Sequence, residues 1–238
     1  DQLTGFATGV LYHGADGQVH EQRAELVVVA CNGVGTPRLL LNSKSKAFPD
    51  GLANRNGMVG KNLMFHPLTG VTGVFGEPML GHEGPMACSI LSQEFYETDS
   101  TRDFVRGYGL HSGRSTTPMT YALGGYGVDS PIPWGAEHRE SMDNVYPYLA
   151  GLTVVSEDLP EEHNCVTLDP DLTDSDGIAA PKITYRLGDN TRRMLRHGEE
   201  RAKEILLAAG AKKVLSKGDV NVWWRAGWHQ MGTCRMGD

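Results

Sequence analysis

The sequence predicts an α+β fold, and three observations support this prediction. A continuous apolar run from Leu26 to Cys31 precedes a glycine turn and a leucine-rich stretch, which is the strand–turn–helix pattern of an α/β unit. From about Thr69 onward, short strand-like stretches alternate with loops rich in Gly, Pro and Ser, as is typical of an antiparallel sheet. One long amphipathic helix follows, with apolar residues recurring at helical spacing.

The first element is predicted to be a β-hairpin. Phe6 to His13 forms one arm, Ala15-Asp16-Gly17 supplies the turn, and Val19 to Glu25 forms the return arm. The run from Leu26 to Cys31 is rich in β-branched residues and predicts a strand that is buried on both faces.

The glycine turn after this strand predicts a helix N-terminus. Asn32-Gly33-Val34-Gly35 ends the strand, Thr36 caps a helix whose first residue is Pro37, and the helix continues to Ser43. At such a turn, free N–H groups and the helix dipole favour phosphate or other anionic groups. An ordinary βα turn has the same pattern, so the residues alone leave both interpretations open.

Further strands and one helix are predicted in the rest of the chain. The strands are Gly70 to Phe75, Tyr146 to Val155, Cys165 to Leu168, Lys182 to Tyr185 and Lys213 to Leu215. Asp189 or Asn190 is predicted to cap the helix, and Gly210 ends it at the C′ position. Its apolar face comprises Met194, Leu195, Gly198, Ala202, Ile205, Leu206 and Ala209. The opposite face is expected to contact solvent, and it includes His197 and Glu199.

Composition excludes several classes of function. The chain has 22 basic and 29 acidic residues and a net charge of −7, which argues against a nucleic-acid partner. Its longest apolar runs are far shorter than the roughly 18 residues that a transmembrane helix needs. The four cysteines show no C-x-x-C spacing, which argues against a zinc site and a disulfide framework and favours a reducing, cytoplasmic location. The 30 glycines suit tight turns or close approach of the backbone to a ligand.

One histidine is a candidate for catalysis. His229 follows Trp228 and precedes two glycines that permit close backbone approach. Histidine titrates near neutral pH, which suits a general base that removes an alcohol proton. A structural histidine, buried and hydrogen-bonded, is the alternative interpretation. The pair His111-Ser112 lacks the strand–Gly-x-Ser-x-Gly–helix context of a serine hydrolase.

These motifs resemble those of the glucose–methanol–choline (GMC) oxidoreductases, a family of flavoenzymes that oxidise alcohols. Leu26 to Ser43 is similar to the second signature of the family, and Trp228 to Asp238 is similar to its C-terminal signature. Residues 51–67 and the helix from Thr191 to Ala209 also resemble family segments, in the order of the family. The second signature matches at Gly35, Thr36, Pro37, Leu39, Leu40 and Ser43 and departs at Asn32, Gly33 and Lys44.

The resemblance implies three segments of two domains. Residues 1–67 would be the late part of an FAD-binding α/β domain, and residues 68–227 an antiparallel-sheet substrate domain with helices. Residues 228–238 would return to the flavin domain and place His229 at the flavin ring. There His229 would take the hydroxyl proton of the alcohol while hydride passes to the flavin. Four residues match positions that line the adenosine side of FAD, namely Ala30, Cys31, Gly35 and Thr36.

Two parts of the family pattern are missing. The sequence contains no Gly-x-Gly-x-x-Gly motif, and the second catalytic residue of the family would fall beyond Asp238. We therefore expect the chain to be an internal portion of the family sequence that binds FAD weakly and is inactive alone. We also expect self-association through an exposed edge of the strand from Leu26 to Ala30. The alternative function is a flavin-free binding or interaction domain.

Overall fold

The computed structural model describes residues 1, 3–83, 90–113, 117–123, 134–216 and 229–236. It confirms the α+β fold, because helices accompany antiparallel sheets. In chain order the elements are β1 (Gly9–His13), β2 (Val19–Arg23), α1 (Asn32–Asn42), β3 (Leu68–Val74), β4 (Ile90–Ser92), β5 (Tyr108–Gly113), α2 (Pro118–Ala122), α3 (Ala136–Asn144), β6 (Leu149–Ser156), β7 (Cys165–Thr173), β8 (Ala179–Thr184), α4 (Asp189–Ala208) and β9 (Lys213–Ser216).

The chain divides into two compact units. The first comprises residues 1–64, 160–186 and 229–238, and the second comprises residues 65–159 and 187–228. Two boundaries of the units lie within a few residues of the boundaries between the predicted segments 1–67, 68–227 and 228–238. The structure also groups residues 160–186 with the first unit. The assignment of FAD binding and substrate binding to the segments stays a prediction.

The first unit begins with the predicted hairpin. β1 and β2 pair antiparallel, with Val10 opposite Gln22 and Tyr12 opposite His20. Gly17 lies in the turn with a φ of +74°, a conformation that glycine adopts without steric cost. The hairpin prediction is therefore confirmed.

The prediction of a buried strand from Leu26 to Cys31 is wrong. This run has no regular secondary structure, and Leu26 and Val28 are 79% and 78% exposed. A strand forms only where a neighbouring backbone accepts and donates its hydrogen bonds. Within the described part of the chain, no strand pairs with these residues.

The prediction that Thr36 caps a helix starting at Pro37 is also wrong. α1 begins at Asn32 with Cys31 as its N-cap, and Pro37 lies inside the helix. The cause is the side chain of Asn32, whose oxygen accepts hydrogen bonds from backbone N–H groups of the first turn. These groups have no partner within a helix, so a side chain that binds them extends the helix toward the N-terminus.

The β7–β8 hairpin supports α1 in the same unit. The Arg38 guanidinium lies 2.7 Å from the Asp174 carboxylate and donates to the carbonyl of Ala179 at 2.8 Å. The predicted strands Cys165 to Leu168 and Lys182 to Tyr185 are confirmed as the paired ends of this longer hairpin.

The second unit contains a five-stranded antiparallel sheet in the order β4-β5-β6-β3-β9. The predicted strands that correspond to β3, β6 and β9 are confirmed, whereas β4 and β5 were not predicted. Ser112 lies in β5, and its hydroxyl accepts a hydrogen bond from the Ile90 N–H at 3.1 Å. This serine therefore occupies a strand and not the sharp strand–helix turn that a hydrolase nucleophile requires.

Helix α4 covers one face of this sheet. Its buried residues join those of the strands in one core that comprises Val71, Phe104, Tyr108, Leu110, Val154, Leu187, Met194, Leu195, Ala202, Leu206 and Ala211. The helix and its termination at Gly210 (φ +98°) are confirmed. The predicted cap at Asp189 or Asn190 is wrong, because both residues lie inside the helix and Gly188 is the N-cap. The Asn190 side chain instead bonds both backbone groups of Val105.

Two residues of α4 differ from the predicted solvent face. Glu199 is only 6% exposed, because the helix lies so close to the sheet at Gly198 that the next residue is covered. His197 is half-buried, and its Nδ1 lies 2.8 Å from the hydroxyl of Tyr108. Burial lowers the pKa of His197, and nearby Arg201 lowers it further. Both residues therefore belong to the contact between helix and sheet.

None of the helices in the described residues is long and apolar enough to cross a membrane. The cytoplasmic location stays a prediction.

Candidate active site

The first turn of α1 carries the predicted cofactor-binding residues. The Asn32 side-chain oxygen accepts hydrogen bonds from the N–H groups of Val34 (2.8 Å) and Gly35 (3.1 Å). The N–H of Cys31 donates to the Thr36 hydroxyl at 3.1 Å. Since these three N–H groups already have partners, the turn offers fewer free donors for an anion than the sequence pattern predicts.

The four predicted residues differ in accessibility. Ala30 and Cys31 are exposed, whereas Gly35 and Thr36 are half-buried. A Cβ at Gly35 would lie 2.9 Å from the Cβ of Cys31, so a glycine is needed for the turn to close. The four residues thus lie in one short stretch whose N-terminal residues are exposed.

Backbone hydrogen bonds to residues 60–64 position the segment that contains His229. On one side of residues 60–64, Gly60 donates to the Thr233 carbonyl at 2.7 Å, and Met64 and Met231 exchange hydrogen bonds of 2.9 and 3.1 Å. On the other side, the same residues bond to Asn164 and Val166 of the β7 region. The segment therefore has a defined register in the first unit.

Two glycines allow this segment to lie close to its neighbours. A Cβ at Gly232 would be 2.0 Å from the carbonyl oxygen of Asn62, and a Cβ at Gly33 would be 2.8 Å from atoms of Gln230. Gln230 follows His229 in the chain, so the structure brings the predicted base close to the first turn of α1. These two motifs are distant in sequence and adjacent in the first unit.

His229 itself is exposed and has a φ of +56°. This left-handed backbone is uncommon outside glycine and is concentrated at functional sites. Trp228, Gly237 and Asp238, which belong to the same motif, lie outside the described residues. The catalytic role of His229 stays a prediction.

The sequence analysis did not identify Asn62, a polar residue of this region. It is 3% exposed with a φ of +63°, and its side-chain nitrogen is buried without a hydrogen-bond partner in the described structure. A buried donor of this kind is costly unless a ligand or water accepts its hydrogen bond. In the sequence it is one of several Asn residues in a stretch rich in Gly and Asn, a pattern too common to single it out.

The thiol of Cys234 is not suited to nucleophilic chemistry. Burial raises its pKa, so the thiol stays protonated at neutral pH. No group of three His, Cys, Asp or Glu side chains with metal-binding geometry occurs among the residues that the structure describes.

Comparison with known families identifies a match to part of the chain. A family model described as GMC oxidoreductase matches residues 160–238. The match covers the β7–β8 hairpin, α4 and the His229 segment.

Relatives that match nearly the whole chain are oxidoreductases. The 2-methyl-1,2-propanediol dehydrogenase of Mycolicibacterium austroafricanum is 41% identical over 236 residues, which cover 98% of this chain and 42% of the relative. The fructose dehydrogenase large subunit of Gluconobacter japonicus is 28% identical over 213 residues, which cover 87% of this chain and 37% of the relative. The chain thus spans less than half the length of these relatives.

A solved structure supports the fold. A formate oxidase crystal structure aligns with 98% of this chain and 48% of its own, with a TM-score of 0.60 and 15% sequence identity. At this identity, the similarity concerns the fold alone.

Proposed function

Because the chain belongs to the GMC oxidoreductase family, we propose that it is part of an FAD-dependent enzyme that oxidises the CH–OH group of a small-molecule alcohol. One observation carries the proposal. The first turn of α1 and the His229 segment are in direct contact, through Thr233 and Gly33 and through Gln230 and Gly33. This contact supports the proposal that the two motifs, which the resemblance assigns to the cofactor and to the base, serve one site.

The residues of the α1 turn fit the uncharged part of the cofactor. Bound FAD would supply the hydride acceptor of the reaction. Ala30 and Cys31 are exposed, and the N–H groups of Cys31, Val34 and Gly35 are already bonded. This arrangement suits contact with a nucleoside more than with a phosphate. The buried nitrogen of Asn62 is a further donor that a bound group could occupy.

His229 would act as the general base. One of its imidazole nitrogens would accept the hydroxyl proton of the alcohol and stabilise the alkoxide. Its exposure gives a substrate access to the ring, and the backbone register of its segment restricts the position of the ring. Acceptance of the proton and orientation of the substrate would thus be the contribution of this chain.

The names of the relatives guide the choice of substrate. One acts on a branched diol and another on fructose, so we propose a small alcohol that carries more than one hydroxyl group. A panel containing 2-methyl-1,2-propanediol, fructose and ethanol tests this proposal by the rate of flavin bleaching. Bleaching by ethanol alone would contradict the proposed substrate class.

The catalytic role is tested by His229→Ala in the flavin-loaded protein. Loss of a general base lowers rates by about 10²- to 10⁴-fold, so stopped-flow flavin reduction should slow at least about a hundredfold. Flavin absorbance and substrate affinity should change little, because a base acts chiefly in the transition state. His163→Ala, at an exposed histidine of the same unit, is the matched control.

Two results would contradict the proposal. A near-wild-type reduction rate in His229→Ala would remove His229 from catalysis. A purified whole protein without flavin absorbance, and without binding of added FAD, would favour the flavin-free interaction domain instead.

A further inference from the structure

A side-chain hydrogen bond links the His229 segment to α1. The hydroxyl of Thr233 donates to the carbonyl of Gly33, with an oxygen–oxygen distance of 2.7 Å. Thr233 is 2% exposed, so water does not compete freely for this bond. The two residues lie 200 positions apart in the sequence.

Pro37 explains why the Gly33 carbonyl needs this donor. In an α-helix, each carbonyl accepts from the N–H four residues later, which for Gly33 is the position of Pro37. Proline has no N–H, so the helix leaves the Gly33 carbonyl without its usual donor. The Thr233 hydroxyl occupies that place.

The backbone of Thr233 is held independently. Its carbonyl accepts a hydrogen bond of 2.7 Å from the N–H of Gly60. Its side chain therefore connects the backbone ladder of residues 60–64 to the first turn of α1. Since Gln230 packs directly on Gly33, loss of the hydroxyl would loosen the segment next to His229.

We propose that Thr233 is a positioning residue for His229. By replacing the N–H that Pro37 lacks, its hydroxyl sets the location of the His229 segment on the first turn of α1. This inference rests on the proposed function, in which His229 is the base. The placement of the segment on α1 can also be measured without catalysis.

The test uses four variants of the flavin-loaded protein. Thr233→Val removes the hydroxyl at nearly constant volume, and Thr233→Ser keeps it. Pro37→Ala restores a helical N–H for Gly33, and it is combined with Thr233→Val. Thr191→Val is the matched control, because it removes another buried threonine hydroxyl, one that donates to Asp158 at 3.0 Å in the second unit.

We expect Thr233→Val to slow flavin reduction at least about tenfold, since small misplacements of reacting groups cost up to about 10²-fold. The rate of flavin reduction in Thr233→Ser should stay within about threefold of the wild-type rate, because serine keeps the hydroxyl. The double variant should recover the melting temperature of the protein but not the reduction rate. Its Gly33 carbonyl has a donor again, but the His229 segment still lacks its side-chain bond to α1. Thr191→Val should lower the melting temperature with an unchanged rate.

A second measurement is independent of catalysis. Hydrogen exchange of the Met231 N–H, which bonds to Met64, should accelerate in Thr233→Val and in the double variant but not in Thr233→Ser. If His229→Ala reduces flavin normally, the proposed base role fails, and this exchange still decides whether Thr233 places the segment.

Two outcomes overturn the proposal. One is a Thr233→Val protein with wild-type exchange at Met231. The other is a double variant that recovers rate, exchange and melting temperature together, which would make the bond merely structural.

Discussion

Gly232 shows how a single residue constrains the candidate site. Its φ is +90°, and a Cβ there would lie 2.0 Å from the carbonyl oxygen of Asn62. The residue therefore combines a left-handed backbone with direct contact to another chain segment. An added Cβ would require the Asn62 backbone to shift, and the left-handed conformation adds a separate cost.

We predict that Gly232→Ala lowers the free energy of unfolding by about 2–5 kcal/mol. Left-handed backbone costs about 1–2 kcal/mol outside glycine, and displacing packed neighbours adds about 1–3 kcal/mol. Urea denaturation measures the loss. Gly177→Ala is the matched control, because Gly177 has a φ of +78° with no atom within 4 Å of the added Cβ. In the control, the free energy of unfolding should fall only by the cost of the left-handed backbone. Equal losses in both variants would contradict the predicted contact.

The sequence allowed only part of the site to be predicted at this scale. The residues Ala30, Cys31, Gly35 and Thr36 could be proposed from their order along the chain. The hydrogen-bond partners of the N–H groups in this turn could not be predicted, because they depend on the direction of the Asn32 side chain. Asn62 and Thr233 were missed because their partners lie in segments that are distant in sequence.

At the scale of elements, the contact of α4 with the sheet depends on Gly198. A Cβ at this position would lie 2.5 Å from a Val154 methyl group and 3.2 Å from the Tyr108 ring. In an isolated helix, alanine is favoured over glycine by about 1 kcal/mol. At this position side-chain packing therefore favours glycine, although helix propensity favours alanine.

We predict that Gly198→Ala destabilises the protein by about 1–3 kcal/mol despite its better helix propensity, because overpacking costs about that much. Val154→Ala alone should cost about 1–3 kcal/mol by removing buried methyl groups. The double variant should be more stable than the sum of the two losses predicts, since the smaller side chain makes room for the new Cβ. Additive losses in urea denaturation would contradict this packing.

The same contact predicts a pH dependence. Burial lowers the pKa of His197, so the unfolded chain binds the proton more readily than the folded chain does. The stabilising contribution of the neutral ring is present above the unfolded pKa of about 6.5 and decreases as the pH falls below it. His197→Asn keeps a hydrogen-bonding group beside the Tyr108 hydroxyl but does not titrate. Its free energy of unfolding should therefore fall less between about pH 7 and about pH 5 than that of wild type. Parallel pH profiles of the two proteins would contradict this prediction.

The elements themselves could be predicted to different extents. The hairpin, α4 and the strands β3, β6 and β9 follow from turn residues and apolar periodicity, which are local signals. Residues 26–31 carry the same strand signal without forming a strand, because pairing requires a neighbouring strand that a local pattern does not report. β5 was missed because its glycines weaken the strand pattern, and its pairing with β6 is long-range.

For the whole molecule, the division into units depends on contacts that cross the sequence. Residues 160–186 join the first unit because Leu63 donates to Asn164 and Val166 donates to Gly60, at 2.8 and 2.7 Å. These bonds link segments that are far apart along the chain. Contacts of this kind are not visible in a sequence pattern, so the grouping of residues 160–186 with the first unit could not be predicted from the sequence.

The exposed apolar residues at 26–29 bear on the behaviour of the 238-residue chain in solution. Contiguous exposed apolar segments with unpaired backbone groups favour association between copies. The net charge of −7 opposes association through mutual repulsion, and salt screens this repulsion. Association should therefore strengthen with both protein concentration and ionic strength.

We predict that Leu26→Ser combined with Val28→Ser reduces this self-association. Each change removes an apolar side chain that is more than three-quarters exposed, so it lowers the attraction between copies with little loss of packing. Light scattering across a concentration series should show a smaller mean mass than for the unmodified chain. The matched control is Leu172→Ser with Ile183→Ser, which removes two exposed apolar side chains from the β7–β8 hairpin. An equal decrease of the mean mass in both double variants would mean that general surface hydrophobicity, and not the segment at 26–29, drives association. An unmodified chain that stays monomeric at high salt would contradict the prediction outright.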